Sequence, residues 1–102
     1  MICNQTKTKE NAIMCPCCGE TVIKEEFQIC HTCGWEHDLV QLDDPNFTDG
    51  PNILSLNQTK EWFALKRKLD PTYTWKAHAS EDGNPTIDDL NKLRDIVKKK
   101  FK

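Results

Sequence analysis

Two short stretches decide how this chain folds: Cys15-Pro16-Cys17-Cys18-Gly19 and Cys30-His31-Thr32-Cys33-Gly34. Each places two cysteines three positions apart and follows the second with glycine. Two residues between thiolates let a tight turn aim both sulfurs at one ion, and the trailing glycine can take the positive φ that turns backbone N–H groups toward the sulfurs. The doubled unit predicts one tetrahedral metal site with Cys15, Cys18, Cys30 and Cys33 as ligands, holding one structural Zn2+, with Fe as the alternative that geometry alone does not separate. Disulfides are the competing reading of six cysteines. The doubled spacing and a reducing compartment argue against them.

Between the units, Thr21-Val22-Ile23 and Phe27-Gln28-Ile29 carry strand-type residues around the polar turn Lys24-Glu25-Glu26, which predicts a hairpin joining two knuckles. A site with four cysteine ligands has no open position for an activated water, so the expectation is a structural centre and not an enzyme. Cys17, between two proposed ligands, is read as a small filler beside the knuckle or as an exchangeable thiol. Cys3 is read as a tail residue. His31 and His37 find no vacant metal position next to four thiolates, and Trp35 is expected to pack over the metal site or against the helices.

Further along, Asp43-Asp44-Pro45-Asn46 and Asp49-Gly50-Pro51-Asn52 are clusters of turn formers, so the segment after Asp38 reads as an acidic loop. Ser55-Leu56-Asn57-Gln58 has the form of a capping box. Leu56, Trp62, Phe63, Leu65 and Leu69 then recur at helical spacings until Asp70-Pro71, predicting a helix over 56–69. Lys60, Lys66, Arg67 and Lys68 read as its solvated face. Thr72–Trp75 reads as a short strand-like segment. A second helix starts at Thr86, with Asp88 and Asp89 at its positive end, Lys98 to Lys100 at its negative end, and Ile87, Leu90, Leu93, Val97 and Phe101 facing inward.

The predicted fold is therefore small α+β: a zinc-ribbon or rubredoxin-like double-knuckle hairpin packed with two C-terminal helices. Residues 1–12 read as a flexible N-terminal segment and 13–102 as a single compact domain, divided into a zinc ribbon (13–37), the acidic loop (38–55) and a helical part (56–102). In 102 residues only 37% are hydrophobic. Apolar burial is lean against roughly 1.5 kcal/mol of ordering entropy per residue, which leaves the metal a share in stability.

Charge is unevenly placed. Residues 1–50 carry three Lys against nine acids, net −6, and residues 51–102 carry eleven Lys or Arg against seven acids, net +4. Four thiolates around a divalent ion take the front half to about −8, which repels phosphate backbones. No apolar run is long enough to span a bilayer, and Met1 to Asn11 lacks the apolar core of an export signal; the expectation is a cytoplasmic protein without a membrane partner.

On these residues the chain resembles the cysteine-rich CPCC family of small bacterial proteins. The resemblance runs from Cys15-Pro16-Cys17-Cys18-Gly19 through Ile29-Cys30, Cys33, Trp35-Glu36, Asp38, Gln41, Pro45, Gly50, Asn52 and Ser55-Leu56 to Phe63. His31 stands where members have Pro, and His37 replaces one acid of a pair. The resemblance implies a stand-alone metal-bound module, and some similar proteins accompany bacterial toxins as immunity partners. With the acidic front, this leads to the expectation of a protein partner, a cognate toxin domain whose active site is occluded. Trp35, Glu36, Asp38, Asp43, Asp44, Phe47 and Asp49 are the candidate partner-binding residues, with Trp35 and Phe47 as anchors and the acids steering association. The alternative is a nucleic-acid-binding zinc ribbon using the basic helices, and net −2 overall weighs against it.

Overall fold

A computed structural model describes residues 12–75 and 84–101. The expected N-terminal segment up to residue 11, Cys3 included, and most of the polar break after Trp75 lie outside them.

Within the described residues the chain is a small α+β fold with one two-stranded antiparallel sheet, three helices and a cysteine cluster. Strand β1 (Ile13–Met14) pairs with β2 (Val22–Ile23), Ile13 opposite Ile23 and Met14 opposite Val22. The arms of the first knuckle thus pair with each other. The second knuckle does the same: Ile29 bridges Glu36, Phe27 N donates to His37 O at 2.7 Å and Cys30 N to Trp35 O at 2.9 Å. The expected hairpin between residues 21–23 and 27–29 is replaced by these two local ones. The reason lies in the linking turn, where Gln28 Oε1 accepts from Lys24 N and Glu25 N at 3.0 and 3.3 Å and Phe27 adopts φ +67°. A side chain closes that turn in place of a backbone ladder.

The expected acidic loop contains a short helix, α1 (Leu39–Asp43), whose N-cap Asp38 accepts from Val40 N at 3.1 Å. Helix α2 (Leu56–Leu69) has the expected bounds and the expected Ser55–Gln58 capping box, with both reciprocal bonds formed. Helix α3 (Ile87–Lys100) starts from a second box, Thr86 with Asp89. Its lysine-rich last turn faces the negative end of the helix dipole.

Helix α2 divides the interior in two. Leu56 and Phe63, seven residues apart, face a core made with Cys15, Ile23, Cys30, Cys33, Trp35 and Tyr73. Trp62, with Leu65 and Leu69 at its edge, faces a second core shared with Leu54, Leu90, Leu93 and Val97. Ile87 and Phe101, expected to face inward on α3, are 43 and 49% exposed because they stand at the two ends of the helix. Thr72–Trp75 forms no strand; the segment is held by Trp75 N donating to Thr32 O at 2.9 Å and by buried Tyr73 stacked at a tilt on Phe63.

The basic face of α2 is partly engaged. Arg67 pairs with Glu20 at 2.9 Å, donates to Tyr73 O and lies 4.6 Å over the Phe63 ring, so it ties α2 to the first knuckle. Lys66 lies over the Trp62 and Tyr73 rings.

Candidate metal centre

Both knuckles close as the spacing demands. Gly19 N donates to Cys15 O at 2.8 Å and Gly34 N to Cys30 O at 2.7 Å, and the two glycines sit at φ +72° and +84°. Such values lie in the left-handed region that a side chain disfavours. In the first knuckle Glu20 N reaches Cys18 Sγ at 3.4 Å, an N–H aimed at sulfur. The knuckles are tied to each other by the hydroxyls of Thr21 and Thr32, 2.6 Å apart and both nearly buried.

The sulfurs of Cys15, Cys18, Cys30 and Cys33 all lie within 4.8 Å of one another. Cys15 and Cys33 are 3.6 Å apart, as are Cys18 and Cys30. A tetrahedral ion with metal–sulfur bonds of about 2.3 Å sets its sulfurs about 3.8 Å apart, so the donor set fits a metal ion. Among the described residues five cysteines, these four and Cys17, are free thiols.

The thiols cannot all ionise side by side without a cation. Hydrogen bonds from Cys15 and then Cys33 pull the Cys30 pKa far down. Those bonds come from protonated neighbours: Cys15 is driven up by its hydrogen bonds to Cys30 and Cys33 and by burial. Cys33 is lowered by Cys15 but raised overall by Cys17, Cys30 and burial. A divalent ion held by Cys15, Cys18, Cys30 and Cys33 would reverse this by favouring the thiolate form of all four. Four sulfur donors would complete its coordination, leaving a role in holding the fold.

Cys17 is half-buried against the cluster but outside the four-sulfur set. His31 is exposed, and His37 is buried edge-on to Trp35 with ring centroids 5.5 Å apart. Neither histidine belongs to the cluster among the described residues.

The candidate partner-binding residues divide. Asp43, Asp44 and Asp49 are exposed, and Glu36 and Phe47 are half-exposed. Trp35 is wholly buried in the metal-side core, so it is no surface anchor. Asp38 is 4% exposed because it caps α1, which removes it from a steering role. Gly50 packs against it: a Cβ there would lie 2.8 Å from Asp38 Oδ2.

The residue that organises this region is Gln41, which the sequence marks only as one position of the family resemblance, with no role. The Gln41 side chain is fully buried; its Oε1 accepts from Trp35 Nε1 at 2.8 Å and Asn52 Nδ2 at 3.0 Å, and its Nε2 donates to Phe47 O and Leu54 O at 2.8 and 2.9 Å. All four of its hydrogen-bonding positions are used. Asn52 extends the network to both backbone groups of Glu36, so the loop is sewn to the second knuckle. A polar residue between Val40 and Leu42 carries no periodic signal of such a role.

No curated protein and no solved structure matches the chain. The family described as "Cysteine-rich CPCC" matches residues 13–66, just over half of the chain, and that span holds both knuckles, α1 and most of α2. With its four-cysteine cluster inside the matched region, the chain belongs to the cysteine-rich CPCC family.

Proposed function

We propose that the chain is a non-catalytic protein-binding module stapled by one structural Zn2+, a zinc ribbon in which each knuckle supplies two ligands, and that it acts as an immunity protein. It would bind a bacterial toxin domain with a basic active-site cleft and occlude that cleft. The observation that carries the reading is the exposure of Asp43, Asp44 and Asp49 on a loop that the cysteine core holds in place through Gln41 and Asn52. A pre-ordered acidic surface gains affinity because little is ordered on binding, and its charge raises the association rate. Zinc is preferred to iron on the grounds that a structural, redox-inert ion suits a module with no electron to transfer.

The test is capture of the metal-loaded chain from its native host with identification of bound protein by mass spectrometry, followed by association kinetics. A stoichiometric toxin domain supports the reading, and the double variant D43K/D44K should then slow association strongly at low salt. An unchanged rate rejects the electrostatic part.

A nucleic-acid-binding role is the second reading. It draws on a cleft of about 400 Å³ lined by Lys68, Val97, Lys98, Lys99 and Phe101. Against it, two arginines of the helices, Arg67 and Arg94, are held in ion pairs with Glu20 and Glu61. Duplex DNA affinity that falls steeply with salt would favour it.

A further inference from the structure

Helix α1 is built inside out. Its polar residue Gln41 is fully buried, while Leu39, Val40 and Leu42 are 50, 51 and 41% exposed. At about 100° per residue, positions 39, 40, 42 and 43 share one arc of the helix and position 41 lies opposite, so Asp43 ends the aliphatic face one turn on from Leu39. A surface helix ordinarily turns its apolar side chains inward. Here the four hydrogen bonds of the Gln41 amide hold the reverse orientation, so the three aliphatic side chains are fixed outward by the core.

Leu39 also lines a cleft of about 230 Å³ with Lys24, Glu26 and His37. His37 is 6% exposed, and its Nδ1 has no hydrogen-bond partner among the described residues.

The charge around this surface selects its occupant. The cleft itself is lined by one cation, Lys24, along with Glu26; from Glu25 to Thr59 the sequence holds seven carboxylates, of which Asp38 is buried, and no Lys or Arg. Asp43 and Asp44 follow the aliphatic residues directly and are exposed. A second copy of the same face, an anionic lipid surface and a nucleic acid all bring like charge. A basic protein segment brings the opposite charge, and a large apolar side chain on it covers the exposed aliphatic surface.

We propose that Leu39, Val40 and Leu42, with the His37 cleft beside them and Asp43 and Asp44 at their edge, form the docking surface for a basic protein segment that carries an aliphatic or aromatic anchor. This rests on the protein-binding reading above and replaces buried Trp35 with residues that can touch a partner.

The probe is a displayed library of random linear peptides, panned against the metal-loaded full chain, with recovered peptides synthesised and titrated calorimetrically. Recovered sequences should combine Lys or Arg with a large apolar residue. The double variant L39S/L42S should weaken them at least tenfold, also at salt high enough to screen the effect of D43K/D44K, while M14S/V22S on the hairpin should leave them bound. Metal content and thermal midpoint serve as controls, and V40Q replaces the double variant should that prove unstable. Binding undiminished by L39S/L42S and V40Q overturns the surface and leaves the protein-binding reading standing. Recovery of no basic peptide overturns the surface and the basic-partner reading together. A concentration-dependent dimer that L39S/L42S abolishes assigns the face to a second copy and overturns the proposal.

Discussion

The indole N–H of Trp35 donates to the side-chain oxygen of Gln41 at 2.8 Å, and both side chains are fully buried. Trp35 belongs to the core that contains the cysteines, and Gln41 sits on the loop that follows. This bond therefore joins the half that holds the cysteine cluster to the acidic surface. Q41L would leave the Trp35 N–H and the Phe47 and Leu54 carbonyls without their partner, each worth about 1–3 kcal/mol when buried and unpaired. The expected loss is about 3 kcal/mol or more, read as a lowered thermal midpoint at constant metal excess. Q41E should be worse at neutral pH, since it turns a carboxylate oxygen toward two carbonyls. A Q41L variant as stable as the parent contradicts the hub.

One divalent ion per chain is expected by native mass spectrometry. C15S, C18S, C30S and C33S should each lose it or bind it far more weakly, whereas C17S should retain it, because Cys17 lies outside the four-sulfur set. Structural zinc contributes about 10–16 kcal/mol apparent in small peptides, comparable with the net stability of a domain. Chelation should accordingly abolish the near-ultraviolet signal of Trp35. Iron in the purified protein would show as colour.

The two knuckle glycines should respond differently to alanine. G19A meets only the penalty of positive φ, about 1–2 kcal/mol, because nothing lies within 4 Å of its added Cβ. At Gly34 the same atom would overlap the Trp75 indole, 2.6 Å from its Cγ. Overpacking adds about 1–3 kcal/mol, so G34A should unfold at clearly lower temperature than G19A. Equal midpoints would show that the indole moves aside freely.

The α2–α3 contact should weaken in acid. Arg94 hydrogen-bonds Glu61 at 2.7 Å through both Nε and Nη2 and holds its carboxyl below the ordinary carboxylate range. A carboxylate whose pKa is lowered by folding stabilises the folded state above its unfolded value, near 4.5, and loses that contribution as pH falls through the folded value. The pair is substantially exposed, so solvent screening keeps its effect small. E61Q should be less stable than the parent at pH 7 and converge with it in acid. A constant difference across that range argues against the ion pair.

Local chemistry made part of this fold readable in advance. The knuckles follow from C-x-x-C-G spacing, since ligand geometry and a positive-φ glycine act within five residues. The helix starts follow from the Ser55–Gln58 capping box and from Thr86 as a cap with acids behind it, since caps act within four residues. Strand pairing differs from the expected hairpin because the two-residue strands of this sheet leave register to the turns, and Gln28 closes the linking turn with its side chain. Helix α1 is not legible in the sequence because its buried face is a polar residue whose partners come from positions 35, 47, 52 and 54.

What the amino-acid order determined by itself was the gathering of Cys15, Cys18, Cys30 and Cys33, the two long helices and the division of charge. Only the tertiary structure decided which acids reach solvent, that Trp35 is interior, and that Leu39, Val40 and Leu42 face outward. The physical reason is range. Capping and ligand turns are satisfied by near neighbours in the chain, whereas the orientation of a five-residue helix is set by hydrogen bonds that reach across the fold to a single buried amide.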